Sequence, residues 1–129
     1  MAFAQQLKVL VVDDTSVSRM LLVDGLNQIG INNVTMAGDG EQGLKAMMAG
    51  PSHLVLSDFN MPKLDGLQFL RALREYAPTK QVGFILVTGR GDKALIDQGR
   101  AYGLNNYLPK PFTVPSLKAT IEAVVGKLV

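Results

Sequence analysis

The sequence predicts an α/β fold: a five-stranded parallel sheet flanked by five helices. Three observations lead there. Five short apolar runs alternate strictly with five stretches of helical hydrophobic spacing, and parallel strands need such crossovers. The first run, KVLVV at 8–12, is continuous and β-branched rather than alternating, the mark of a strand buried on both faces. Gly and Pro punctuate the joints between runs, at Gly30, Gly38, Gly40, Gly50-Pro51 and Pro78.

The 129 residues suit one domain, long enough to bury about two-thirds of the unfolded surface, and a single domain over 1–129 is expected, with a last helix running to Val129. Hydrophobic content of 47% with 19% charged fits an ordinary globular protein, and no apolar run approaches the roughly 20 residues that a bilayer requires. The start MAFAQQLK lacks a basic segment followed by an apolar one, so no secretory signal and no membrane association are expected. Zero cysteines rule out a disulfide framework and a thiolate metal site and fit a cytoplasmic location. Net charge is +2, but its Lys and Arg are dispersed, which argues against nucleic acid as a partner.

Taken in order, the strand at 8–12 ends at Asp13 and Asp14. Ser16 is the expected N-cap of a first helix with Leu21, Leu22, Leu26 and Ile29 inward, stopped by Gly30. A second strand at 33–36 leads through Gly38 and Gly40 into a helix with Leu44 and Met47 on its inner face and Met47-Met48 as core filling. His53, the only histidine, precedes the third strand at 54–57 and is expected to be structural or exposed. Asp58 follows, then a loop through Pro62, where Asp65-Gly66 reads as a turn and helix cap. The third helix turns Leu67, Leu70 and Leu73 inward and closes at Ala77-Pro78. The fourth strand, 84–87, ends at Thr88-Gly89-Arg90-Gly91. Asp92 can cap a fourth helix with Leu95 and Ile96 inside, which stops near Gly103. A short fifth strand at 106–108 precedes Lys110. The last helix starts around Val114-Pro115, with Pro in the first turn where its missing N–H does no harm, and carries Leu117, Ile121, Val124 and Leu128.

In such a sheet ligands bind beyond the carboxyl ends of the strands. Asp13, Asp14, Asp58, Thr88 and Lys110 each follow a strand, so all five should lie along one edge. Two carboxylates about 4 Å apart repel by roughly 4 kcal/mol at an effective dielectric near 20, and three are gathered here. Lys110 offsets one charge and a divalent cation would take the rest. An all-oxygen donor set suits Mg²⁺, which keeps several waters, better than Ca²⁺, and Zn²⁺ lacks its usual Cys or His ligands. A metal-bound carboxylate flanked by a hydroxyl and an ammonium is equipped for phosphoryl transfer onto the aspartate, with Gly89 leaving space for the incoming group.

Four motifs, VLVVDD, SDFNMPKLDG, VTG and YLPKPF, occur in this order with these spacings. Through them the chain resembles, over nearly its whole length, a receiver domain of the two-component response regulator family, and within it the single-domain chemotaxis regulators. The resemblance implies the flavodoxin-like strand order 2-1-3-4-5. It also implies a phosphorylation-activated switch in which Asp58 accepts a phosphoryl group from a phosphohistidine of a chemotaxis-type sensor kinase. Asp14 and Asp58 would ligate Mg²⁺ directly with the backbone carbonyl of Asn60, and Asp13 would act mainly through water. Thr88 and Lys110 would bind phosphoryl oxygens, the Lys110-Pro111 peptide matches a position commonly cis, and Tyr107 falls where the family places its switch aromatic. The chain would be no enzyme beyond catalysing its own phosphorylation and dephosphorylation. It would act as a cytoplasmic monomer whose output partner is a flagellar motor switch protein, met by a face carrying Lys93, Arg100, Tyr107 and Lys118.

Other readings stay open at this point. Asp13 or Asp14 alone could be an N-cap, Lys110 could be merely solvated, Tyr107 could be an ordinary half-buried strand aromatic, and Lys93, Arg100 and Lys118 could simply be solvated charges. A receiver serving as a phosphate sink would share every motif. A Mg²⁺-dependent phosphatase with an aspartyl nucleophile would want an acid two residues after Asp58, where Asn60 stands. A flavin carrier would want a hydroxyl- and Gly-rich loop where Asp13-Asp14 would repel its phosphate. Arg90 departs from the common family pattern and is expected to modulate the lifetime of the phosphoryl group.

Overall fold

A computed structural model describes residues 3–89 and 93–128. Among them the alternation runs β1 (Lys8–Val12), α1 (Ser16–Gln28), β2 (Asn33–Ala37), α2 (Gly40–Ala49), β3 (Leu54–Asp58), α3 (Gly66–Glu75), β4 (Gly83–Thr88), α4 (Lys93–Ala101), β5 (Asn106–Pro109) and α5 (Val114–Val125), with short 3-10 turns at Phe3–Gln6 and Ala77–Thr79. The strands form one parallel sheet in the order β2-β1-β3-β4-β5, as the resemblance implied.

The continuous apolar runs are explained by a core on each side of the sheet. Successive strand residues point to opposite faces, so Val9, Val11, Leu54, Leu56, Ile85 and Val87 meet Leu22, Leu26, Leu117 and Ile121 of α1 and α5. Their neighbours Leu10, Val12, Val55, Phe84 and Leu86 meet Met47, Phe69, Leu70, Leu73, Leu95 and Ile96 of α2, α3 and α4. A strand covered on both faces has no polar side, which is why period-2 alternation is missing from its sequence.

Several expectations are corrected. Thr15, not Ser16, holds the cap position of α1, because Thr15 is still extended and Ser16 is already the first helical residue; the Thr15 hydroxyl turns back to Asp13 and makes no cap hydrogen bond. Leu21 is 57% exposed, since the stripe facing the sheet is set by Leu22, Gly25 and Leu26. Met48 is likewise exposed at 51% while Met47 is fully buried; adjacent helical residues cannot both face one sheet. Helix α5 ends at Val125, where Gly126 takes a φ of 92°, and Leu128 reaches the core from beyond the helix, with its N–H donating to Glu122 Oε2 and its carbonyl accepting from Ala4. Asp92, the expected cap of α4, lies outside the described residues. Asp65 is the cap of α3 as expected, in a reciprocal box with Gln68. His53 is exposed and also structural: its Nδ1 accepts the Lys8 N–H at 2.9 Å.

Candidate functional site

Strand register carries the candidate residues to one place. Val12 pairs with Ser57, Asp58 with Val87, and Thr88 with Pro109, so Asp13 follows its strand level with Asp58, Thr88 lies one step beyond the last pair of β3 with β4, and Lys110 one step beyond the last pair of β4 with β5. Asp58 and Thr88 are themselves the final residues of β3 and β4 rather than the first of their loops, so both backbones are fixed by the sheet. The ladder continues past its ends through Asp13 N–H to Ala37 O at 3.2 Å and Lys110 N–H to Thr88 O at 2.9 Å. Beyond Asp58 the chain doubles back to let Gly66 N–H reach Phe59 O at 2.8 Å. A Cβ on Gly66 would stand 2.5 Å from Asp58 O, so the loop can close only over glycine.

Asp13 is fully buried and its carboxylate is saturated. Oδ1 accepts from Thr15 N at 3.0 Å and Thr15 Oγ1 at 3.2 Å. Oδ2 accepts from the Ser18 hydroxyl and from Lys110 Nζ, the latter at 3.3 Å. A buried carboxylate needs such company, since an unpaired one costs several kcal/mol to desolvate. Lys110 Nζ lies 3.4 Å from Asp58 Oδ1 and 3.0 Å from Ser18 Oγ, so one ammonium bridges two strands and α1. Its peptide to Pro111 is cis. The reading of Lys110 as merely solvated is thereby excluded, and neither Asp13 nor Asp14 is the cap of α1.

Asp58 Oδ1 also accepts the Phe59 N–H at 2.8 Å. Among the described residues no hydrogen bond or ion pair falls on its Oδ2. Burial pushes the Asp58 carboxyl above the ordinary range of 3.8, Lys110 opposes the rise, Asp13 adds to it, and the Phe59 amide opposes it. Burial, more than the neighbouring charge, is therefore what disfavours the ionised form of this side chain.

Asp14, on the exposed side, completes the group: one carboxylate oxygen each from Asp13, Asp14 and Asp58 lie within 4.8 Å of one another. An all-oxygen cluster of that size fits a small hard cation. Asp13, whose oxygens are already engaged by four donors, is suited to hold Lys110 and orient waters rather than to ligate directly. Asn60 follows in the exposed loop.

Thr88 is buried, and a Cβ added to Gly89 beside it would meet nothing within 4 Å among the described residues. Tyr107 is half-buried and packs on the α4 side of the sheet with Leu86, Leu95 and Ile96. Lys93 and Arg100 are exposed on α4, Lys93 in a 2.8 Å ion pair with Asp97, and Lys118 is half-buried on α5. Arg90 lies outside the described residues. Sequence reasoning missed Ser18 and also Arg19, whose guanidinium donates to Asp13 O at 2.7 Å. Their only sequence signal is their place in the first turn of a helix that begins three residues after Asp13, where side chains can reach back toward the strand end.

Comparison with known proteins agrees with this geometry. The family model "Response regulator receiver domain" matches residues 9–122. The "Probable chemotaxis protein CheY" of Rhizobium etli is 53% identical over 128 residues, 99% of each chain. The chemotaxis protein CheY4 of Vibrio cholerae superposes with a TM-score of 0.86 at 30% identity, over 92% of this chain and 98% of that one. The receiver domain of a sensor histidine kinase from Pseudomonas aeruginosa PAO1, with a magnesium ion coordinated in its active site cleft, superposes with a TM-score of 0.84 at 26% identity, over 94% and 98%.

Proposed function

The chain belongs to the response regulator receiver domain family, and we propose that its 129 residues form one receiver that works as a phosphorylation-activated switch in chemotaxis, with Asp58 as phosphoacceptor. The observation that carries this is the triangle of Lys110, Asp13 and Asp58, an ammonium within 3.4 Å of two carboxylates at the end of a parallel sheet. Relatives named for chemotaxis support the setting.

Asp58 Oδ1 is held by the Phe59 amide and Lys110, leaving Oδ2 to attack phosphorus. The new O–P bond forms as the P–N bond of a phosphohistidine breaks, and the departing imidazole nitrogen takes up a proton. Lys110 then meets a phosphoryl oxygen, as does the Thr88 hydroxyl from the neighbouring strand end. Asp14, Asp58 and the Asn60 carbonyl would hold Mg²⁺, with Asp13 contributing through water; when bound, the ion neutralises charge on the carboxylates and on the transferring group. Discharge runs by water attack on phosphorus, releasing inorganic phosphate and restoring the Asp58 carboxylate.

The signal is the added charge of about −1.5 to −2 with three acceptor oxygens. Drawing Thr88 toward it frees room on the α4 side of the sheet, and the half-buried Tyr107 ring is placed to turn into it. The face changed in this way carries Lys93, Arg100, Tyr107 and Lys118, and its cations suit an acidic segment of a motor switch protein. The donor is a chemotaxis-type histidine kinase.

Incubation with Mg²⁺ and acetyl phosphate, followed by intact-mass measurement, tests the assignment. A single phosphoryl adduct is expected in the wild type and none in Asp58→Asn. An adduct retained in the variant, or steady turnover of assorted phosphoesters, would overturn it.

A further inference from the structure

The geometry points to Ser18 as the positioning residue that aims Lys110, a role the sequence motifs do not carry and one that rests on the phosphoacceptor reading of Asp58. A serine hydroxyl has one hydrogen to give, and Ser18 gives it to Asp13 Oδ2. Its lone pairs therefore face the ammonium, and Lys110 Nζ donates to Ser18 Oγ at 3.0 Å. The three contacts of Lys110 are then hydrogen bonds to Ser18 at 3.0 Å and Asp13 at 3.3 Å, two neighbouring acceptors on one side of the ammonium, and an ion pair with Asp58 at 3.4 Å.

Two of these anchors do not change when Asp58 is charged. Asp13 is fully buried and fixed by Thr15 as well, and Ser18 is on the first turn of α1. Only the third acceptor is replaced, Asp58 Oδ1 giving way to a phosphoryl oxygen. Ser18 thus makes a two-point mount from what would be a single tether to Asp13, and leaves the ammonium within reach of the reacting group. A flexible four-carbon side chain on one tether must be ordered again at each encounter; on two it is ordered beforehand.

A mount of this kind acts on the chemical step, not on donor binding. Ser18→Ala is expected to lower the rate constant for phosphorylation at saturating acetyl phosphate by about fivefold, the worth of one hydrogen bond realised in the transition state, with the half-saturating donor concentration unchanged. Ser18 borders a cleft of about 530 Å³, so an added methyl group has somewhere to go. Ser18→Thr keeps the hydroxyl and should restore the rate, whereas the equally large Ser18→Val should not. That pair separates hydrogen bonding from packing.

The measurement is phosphorylation of the full chain by acetyl phosphate and Mg²⁺ under intact-mass detection, beside urea unfolding of each variant in EDTA and a Mg²⁺ titration followed by thermal stability. The wild-type adduct must appear first; its absence would remove the phosphoacceptor reading itself. With it present, equal rates for wild type and folded Ser18→Ala, or equal rates for Ser18→Thr and Ser18→Val, would overturn the role given to Ser18. So would a defect that resides wholly in donor or Mg²⁺ affinity.

Discussion

Neutralising Asp58 without changing its shape should stabilise the metal-free protein, although the same substitution is expected to abolish phosphorylation. In wild type, carboxylate oxygens of Asp58 and Asp13 lie within 4.8 Å, a repulsion of about 3.5 kcal/mol at an effective dielectric near 20. Lys110 at 3.4 Å returns about 5 kcal/mol on the same scale. Against that remainder stand a second, solvent-screened repulsion from Asp14 and the cost of burying the Asp58 charge, which is the largest influence on its carboxyl. The unfavourable side wins, since the carboxyl is raised. The net gain for Asp58→Asn is on the order of 1 kcal/mol, the usual size of a single stabilising substitution at a functional site, or a few degrees in Tm. The sign with pH follows: a carboxyl raised on folding binds its proton more tightly in the native state, so wild-type stability falls as pH rises from the unfolded value of 3.8 through the folded one. The advantage of Asn is therefore absent below 3.8 and complete at neutral pH. Added Mg²⁺ reverses the order, since a ligand at a hundred times its Kd contributes about 2.7 kcal/mol to wild type and less to a variant lacking one carboxylate. Thermal unfolding from pH 3 to 8 in EDTA, repeated with Mg²⁺ at neutral pH, measures each step. A variant that melts no higher than wild type in EDTA at pH 7, or gains as much from Mg²⁺, refutes the reasoning.

Lys110→Met does the opposite: it leaves the fully buried Asp13 with hydroxyl and amide donors only, and should cost about 2–3 kcal/mol in urea unfolding, moderated by the partial exposure of the ammonium. Leu22→Ala should cost about 2–5 kcal/mol, while Leu21→Ala, one residue away and 57% exposed, should stay within about 0.5 kcal/mol; similar losses would put the α1 stripe in error. Asp65→Ala removes the capping box of α3 and should cost about 1 kcal/mol by the same assay.

The fold was legible because burial on both faces writes itself into continuous apolar strands, and Gly or Pro marks the joints. Helix orientation was less so. Leu21 and Leu22 have the same hydropathy, and only the place of Gly25 against Leu117, whose Cδ2 would stand 2.8 Å from an added Cβ, shows which stripe faces the core. The last helix was overrun for a similar reason: Leu128 keeps a buried position while the backbone has already left the helix at Gly126.

The candidate site divides along the same line. Asp13, Asp58, Thr88 and Lys110 were readable because each ends or follows an apolar run, and a parallel sheet brings all such ends to one edge. Ser18 was not, because its role depends on how far α1 has turned when it passes the strand ends, and a serine in a first helical turn has many unremarkable uses. Its neighbours in sequence illustrate the point: Val17, exposed at 73%, projects to solvent, whereas Ser18 reaches Asp13 and Lys110. The charges at the centre of the cluster follow from strand topology, but their arrangement around one ammonium is set by a helix rotation of about 100° per residue, which the spacing of apolar residues fixes only loosely.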